Sequence, residues 1–161
     1  MKYVRISFLI MALCAFTACG KKKAAEKKGG TEQTQMKSST TVSVAAPIKI
    51  NETNQTIEIL ESKSLYKTFS VDGGKTSEEC PAELDKGIHE YAIDESDTLL
   101  IEDEGIVVHV MRVSGNKGGL YGKWQFPLVV LDDKGIATTA SLTISKNQLV
   151  TTVSCKAADI E

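Results

Sequence analysis

Strict alternation near the C-terminus limits what this 161-residue chain can become more than any other feature. Ile136, Thr138, Ala140, Leu142 and Ile144 fall on one side of an extended backbone; Ala137, Thr139, Ser141 and Thr143 fall on the other. Ser145-Lys146-Asn147-Gln148 has turn composition, and Leu149, Thr151, Val153 and Cys155 then continue the first face. Side chains alternate across a strand with period two. The pattern therefore predicts a hairpin whose two strands bury one shared face.

The same reading extends upstream. Residues 56–60, 64–70 and 88–93 read as strands, the middle one bounded by Asp72-Gly73-Gly74. Asp103-Glu104-Gly105 makes a tight turn between Thr98–Glu102 and Ile106–Val113. The second of these is apolar on both faces, which predicts a central strand covered on both sides. Past a turn at Ser114–Gly119, the residues Leu120, Gly122, Trp124 and Phe126 share a face. Leu128–Leu131 follows Pro127 and closes at Asp132-Asp133-Lys134-Gly135. One short helix is expected over residues 81–86, with Pro81 at its first position, Glu83 in its first turn and Gly87 past its end. From residue 50 onward there are nineteen Ile or Val against ten Leu, a balance that favours strands. The fold class is mainly β: a small antiparallel β-barrel or β-sandwich of about eight strands with one short helix, preceded by a disordered linker. Gly118, Gly119 and Gly122 are candidates for the bulges that let a sheet curl.

The N-terminus is set apart. Lys2 and Arg5 precede an apolar run, Ile6–Phe16, broken only by Ser7. A spanning helix needs about 20 apolar residues, so this run has the length of a signal-peptide core. Phe16-Thr17-Ala18-Cys19-Gly20 resembles the lipobox of bacterial lipoproteins, with Phe16 where that family prefers Leu. The resemblance implies cleavage after residue 18 and lipidation of Cys19. It also implies a membrane anchor in the cell envelope, and Gly20 after the cysteine favours the outer membrane. The expected organisation is a signal peptide at 1–18, a lipidated flexible basic linker at 19–50 and an acidic antiparallel β domain at 51–161.

Charge divides along the same line. Residues 20–49 carry seven Lys and two Glu; residues 50–161 carry ten Lys or Arg and nineteen Asp or Glu. The net −2 of the whole chain therefore hides a basic linker joined to a body of net −9. Nucleic acid binding needs a basic face, so nucleic acid is excluded as a partner. An acidic body instead attracts cationic proteins. Eleven acids crowd between Glu78 and Glu104. They read as a solvated face, with a docking face or a loose calcium site at Asp94, Asp97, Glu102, Asp103 and Glu104 as the sharper alternatives. The spacing does not match an EF-hand loop.

Once Cys14 is cleaved off and Cys19 lipidated, Cys80 and Cys155 remain, in a compartment that permits disulfides. They are expected to pair and to staple the helix region to the last strand. His89 and His109 fall on predicted strands as structural histidines; a shared metal with Glu90 is the alternative. No phosphate-binding loop, nucleophile elbow or His-Glu-x-x-His is present. No catalytic residue, metal or cofactor is assigned, and no enzyme is expected.

Gly122-Lys123-Trp124 is similar to the Gly-x-Trp signature of lipocalins, which implies a barrel carrying a small apolar ligand; Trp124 as a core side chain is the plainer reading. The first functional expectation is a non-catalytic binding module, with Trp124, Tyr121, Tyr91 and Tyr66 as candidate aromatic contacts. The alternative is a periplasmic inhibitor of a cationic enzyme such as lysozyme, to whose inhibitors the chain is similar in general plan.

Overall fold

The computed structural model describes residues 39–71, 74–103, 106–127, 129–132 and 135–157. The signal segment, Cys19 and the linker up to residue 38 lie outside the described residues, as do Asp72, Gly73, Glu104 and Gly105. Eleven strands are present among the described residues: β1 Ser39–Asn51, β2 Thr56–Ile59, β3 Lys63–Val71, β4 Thr76–Leu84, β5 Gly87–Ile93, β6 Thr98–Asp103, β7 Ile106–Gly115, β8 Gly122–Gln125, β9 Val130–Leu131, β10 Ile136–Ile144 and β11 Gln148–Ala157. Eight of them close an antiparallel barrel in the order β1, β2, β5, β6, β7, β8, β10, β11, with β11 pairing back to β1. β9 adds a short rung to β10, and β3 with β4 forms a separate hairpin.

Sequence and ladder agree at the C-terminal hairpin. Ile144 pairs with Leu149 and Thr138 with Cys155, and the Ser145 N–H donates to the Gln148 carbonyl to close the turn (2.9 Å). Leu142, Ile144, Leu149, Thr151 and Val153 all point inward and are buried. An eight-stranded barrel is just wide enough for side chains to fill. Here Trp124 fills it with Leu99, Val110, Leu142 and Leu149, each at most 1% exposed.

Four expectations are corrected. The linker was expected to run to residue 50, but β1 begins at Ser39. Val42, Val44, Ala46 and Ile48 are buried while Thr41, Ser43 and Ala45 face out. Small hydroxyl and Ala residues in that stretch imitate linker composition, yet their alternation makes a strand. On its outer face the hydroxyls of Thr41 and Ser43 meet those of Ser154 and Thr152 across the β1–β11 ladder (2.9 and 2.8 Å).

The helix expected at 81–86 is strand instead: Cys80, Ala82 and Leu84 of β4 are buried in alternation with half-buried Pro81 and Glu83. Pro81 is tolerated because β4 has a ladder partner on one side only, so a missing N–H leaves the sheet intact.

β7 is covered on one face, not two. Its inward Val110 is fully buried, whereas Val107, Met111 and Val113 stand about half exposed on the outside. The bulge falls on β7 between Arg112 and Ser114, opposite β8, rather than at the glycines. Gly115 and Gly122 face each other beside it, with φ of 116° and 141°, and a Cβ on either would strike backbone, that of Tyr121 and of Ser114 respectively.

The barrel has two distinct ends. β1 starts at one, the entry end, where β11 also finishes; the turns β1–β2, β5–β6, β7–β8 and β10–β11 form the opposite, far end. The β3–β4 hairpin packs at the entry end. Phe69, Val71, Ala82 and Leu84 join the core there, and Cys80 is bonded to Cys155 on the inner face of β11, with Cα atoms 5.8 Å apart. The expected disulfide is present, and it ties β4 rather than a helix to the last strand. Lys67 of β3 donates to the Thr41 carbonyl of β1 (3.1 Å).

Candidate functional site

Far-end architecture begins with one charge in an apolar strand. Arg112 of β7 points inward over Trp124, its guanidinium carbon 4.0 Å from the ring centroid. A buried guanidinium needs acceptors for its donors. Asp97, in the β5–β6 turn, takes Nε and Nη2 at 2.6 and 2.9 Å. The carbonyls of Gly119 and Tyr121 accept from Nη2 and Nη1. Asp97 also accepts the Gly118 N–H (2.8 Å), and the Trp124 indole N–H donates to the Leu120 carbonyl (3.0 Å). The Arg112 guanidinium, aided by the Gly118 N–H, holds the Asp97 carboxyl below its ordinary value. Asp97 itself adopts φ 63°, a left-handed turn conformation that Asp tolerates better than most residues.

This network fixes the 116–121 turn, and the turn presents Tyr121. The Tyr121 hydroxyl points at the Glu52 carboxylate of the β1–β2 turn, 3.5 Å away. Tyr91 of β5 comes up beside them, its N–H donating to the Gln55 carbonyl (2.9 Å). Burial raises the Tyr91 hydroxyl above its usual pKa, and Glu52 and then Tyr121 add to the rise. Two phenols and one carboxylate thus share a rim, Tyr91 from β5 and Tyr121 and Glu52 from turns. Such a group can stack against a flat apolar surface and hydrogen-bond or pair with a cation.

Of the four expected aromatic contacts, the structure gathers Tyr91 and Tyr121. Trp124 is corrected from contact to core: it is fully buried beneath them and supports the turn. Tyr66 lies at the entry end on the outer face of β3, half exposed, its hydroxyl donating to the Glu83 carboxylate. Arg112 and Glu52 are not among the expected site residues, and Asp97 enters there only as part of the alternative calcium cluster, not as the partner of an arginine. The available signal is Arg112, the one Lys or Arg within the β7 sequence Ile106–Gly115.

The acidic stretch does not form one patch. Glu78, Glu79 and Glu83 lie on the entry-end hairpin, Asp94 and Asp97 at the far end, and Glu102 back near the entry end. Among the described residues no group of three or more His, Cys, Asp or Glu converges as a metal site. His89 faces inward and is buried, whereas His109 is exposed on the outside of β7, so the two sit on opposite faces of the wall. Burial pulls the His89 pKa down to about 4, against a backbone hydrogen bond at Asp85. His89 and Tyr91 line a void of about 10 Å³ with Ile57, Ile101 and Leu142. It lies where β5 changes partner from β2 to β6.

Compared with family models, with curated proteins and with solved structures, the chain matches none of them.

Proposed function

We propose that this protein is an envelope-anchored, non-catalytic binding module that engages its partner on the outside of the barrel. The observation that carries the reading is the gathering of Tyr91, Tyr121 and Glu52 at the end opposite chain entry. In this reading Cys19 is lipidated after removal of residues 1–18, and the anchor sits in the outer membrane. A tether feeding Ser39 at the entry end would then leave the far rim directed away from the bilayer. One acyl chain anchors weakly and two or more anchor stably, so a diacylated Cys19 suits a permanent station. The void beside His89, about 10 Å³, is small against the roughly 300–1,000 Å³ of ligand pockets. That supports surface binding over a lipocalin-like carrier of a small apolar ligand.

Inhibition of a cationic enzyme such as lysozyme is a second reading, favoured by the net −9 of residues 50–161. Loss of lysozyme activity at low salt on adding the protein supports it, and unchanged activity removes it.

Photo-crosslinking in intact cells tests the main reading, with a photoreactive amino acid at position 121 or at position 66. A discrete adduct from 121 and none from 66 is expected. Adducts from 66 alone, or none from 121, overturn it. Fatty-acid labelling of the wild type, lost in Cys19→Ala, checks the anchor separately.

A further inference from the structure

β7 carries more apolar side chains than the barrel interior can use. Val107, Met111 and Val113 face outward and are 51%, 50% and 56% exposed. In register beside them on β6, half-buried Leu100 stands opposite His109, Thr98 opposite Met111 and Glu102 opposite Val107. Isolated exposed apolar residues are ordinary, but a contiguous group on one sheet face marks an interaction surface.

The charges around it select the occupant. Glu102 sits within the group, and Glu90 of β5 lies on the same outer face one step past the Tyr91–Ile101 pair; both are exposed, and they outnumber exposed Lys123 of β8, which lies opposite Ser114 at the far margin beside Val113. A second copy of this chain would bring the same carboxylates and another net −9 against the face. An anionic lipid surface would be repelled in the same way. The chain's own segment 20–38 supplies lysines but only Met36 as a large apolar side chain, too little to cover three exposed ones.

We infer that the outer face of β6 and β7, centred on Val107, Met111 and Val113 with Glu90 and Glu102 at its margin, docks a cationic amphipathic protein segment. The segment's apolar side covers β7 while its lysines or arginines meet the two carboxylates. The inference extends the binding-module reading to a surface separate from the far rim.

The test titrates the full-length protein against two short amphipathic peptides, one alternating its Leu face with Lys and one with Glu, followed by fluorescence anisotropy. One saturable site is expected for the Leu/Lys peptide and none for the Leu/Glu peptide. Met111→Lys and Val113→Lys, both at exposed positions, should each weaken binding by about 10-fold or more, roughly 1.4 kcal/mol. The double variant Glu90→Gln with Glu102→Gln should weaken it several-fold and flatten its salt dependence. Tyr121→Ala should leave it unchanged. Equal binding of both peptides, no saturable binding, or binding indifferent to Met111→Lys overturns the inference. So does self-association or attachment to anionic vesicles that Met111→Lys abolishes. Binding lost only in Tyr121→Ala overturns this face while leaving the rim reading in place.

Discussion

The Arg112 guanidinium lies 4.0 Å from the centre of the Trp124 ring while its Nε donates to Asp97 at 2.6 Å, so one side chain joins the barrel core to two far-end turns. The stacking holds the cation over a fully buried indole, and the carboxylate satisfies the donors that burial would otherwise leave open. Arg112→Ala should therefore destabilise the fold by about 1–2 kcal/mol through the cation–π contact alone. It should also loosen the 116–121 turn, seen as faster amide exchange at Gly118 and Gly119. Arg112→Lys should recover little of this, because an ammonium cannot reproduce the planar two-pronged geometry. Unchanged exchange in Arg112→Ala would show that the turn stands without the network.

Acid should weaken the barrel in two separate windows. An unfolded histidine titrates near 6.5, whereas buried His89 titrates at about 4. Above pH 6.5 neither state is protonated and His89 has no effect. As pH falls below that value the unfolded chain takes the proton first, and the native state loses stability down to about pH 4. Between pH 7.5 and pH 5 the loss is about 2 kcal/mol. His89→Gln should flatten this limb in urea unfolding measured at several pH values. Asp97 acts lower down: its depressed carboxyl contributes stability above the ordinary Asp value near 4, lost as pH falls through the lower folded value. Asp97→Asn should remove only that lower limb.

Gly122 and Gly115 should tolerate no side chain. A Cβ on Gly122 would lie 2.1 Å from the Ser114 carbonyl oxygen, and one on Gly115 would lie 2.3 Å from that of Tyr121. Both obstacles are backbone, and both φ values disfavour L residues. Gly122→Ala should cost more than about 2 kcal/mol, whereas Gly118→Ala, with nothing within 4 Å, carries only the strain of φ 76°. Similar melting temperatures for the two variants would contradict this ranking.

Reduction should expose how much the hairpin depends on its staple. Cys80 and Cys155 are 75 positions apart, and closing a loop of that size stabilises by about 4 kcal/mol in the chain-entropy account. The double variant Cys80→Ala with Cys155→Ala should lower the urea midpoint accordingly. The earliest local loss should appear as exchange in β3 and β4, which are paired only to each other.

Legibility in the sequence followed burial. Where one face is buried and the other polar, as in β10 and β11, composition and period agree, and the strands were readable. The first strand was hidden because Ser, Thr and Ala serve equally in linkers and in outward strand positions. Pro81 and Gly87 punctuate β4 in the same way as they would a helix, and no local rule reveals that β4 pairs on one side only. The apolar run Ile106–Val113 suits a strand covered on both faces; closure into a barrel buries only one of them. The site was half legible. Aromatic residues could be named from sequence, but which of them meet depends on three turns separated by up to 69 positions, as between Glu52 and Tyr121.

A filled barrel that binds on its outside leaves no room for a ligand within. Trp124, the only tryptophan of the chain, is fully buried inside it and reports directly on the interior. Titrating the protein with a fluorescent fatty-acid analogue, in the Met111→Lys background that spoils the outer apolar face, follows energy transfer from Trp124. No saturable transfer is expected at stoichiometric concentrations. One-to-one saturable transfer that persists in this variant would contradict it, because the ligand would then be inside the barrel.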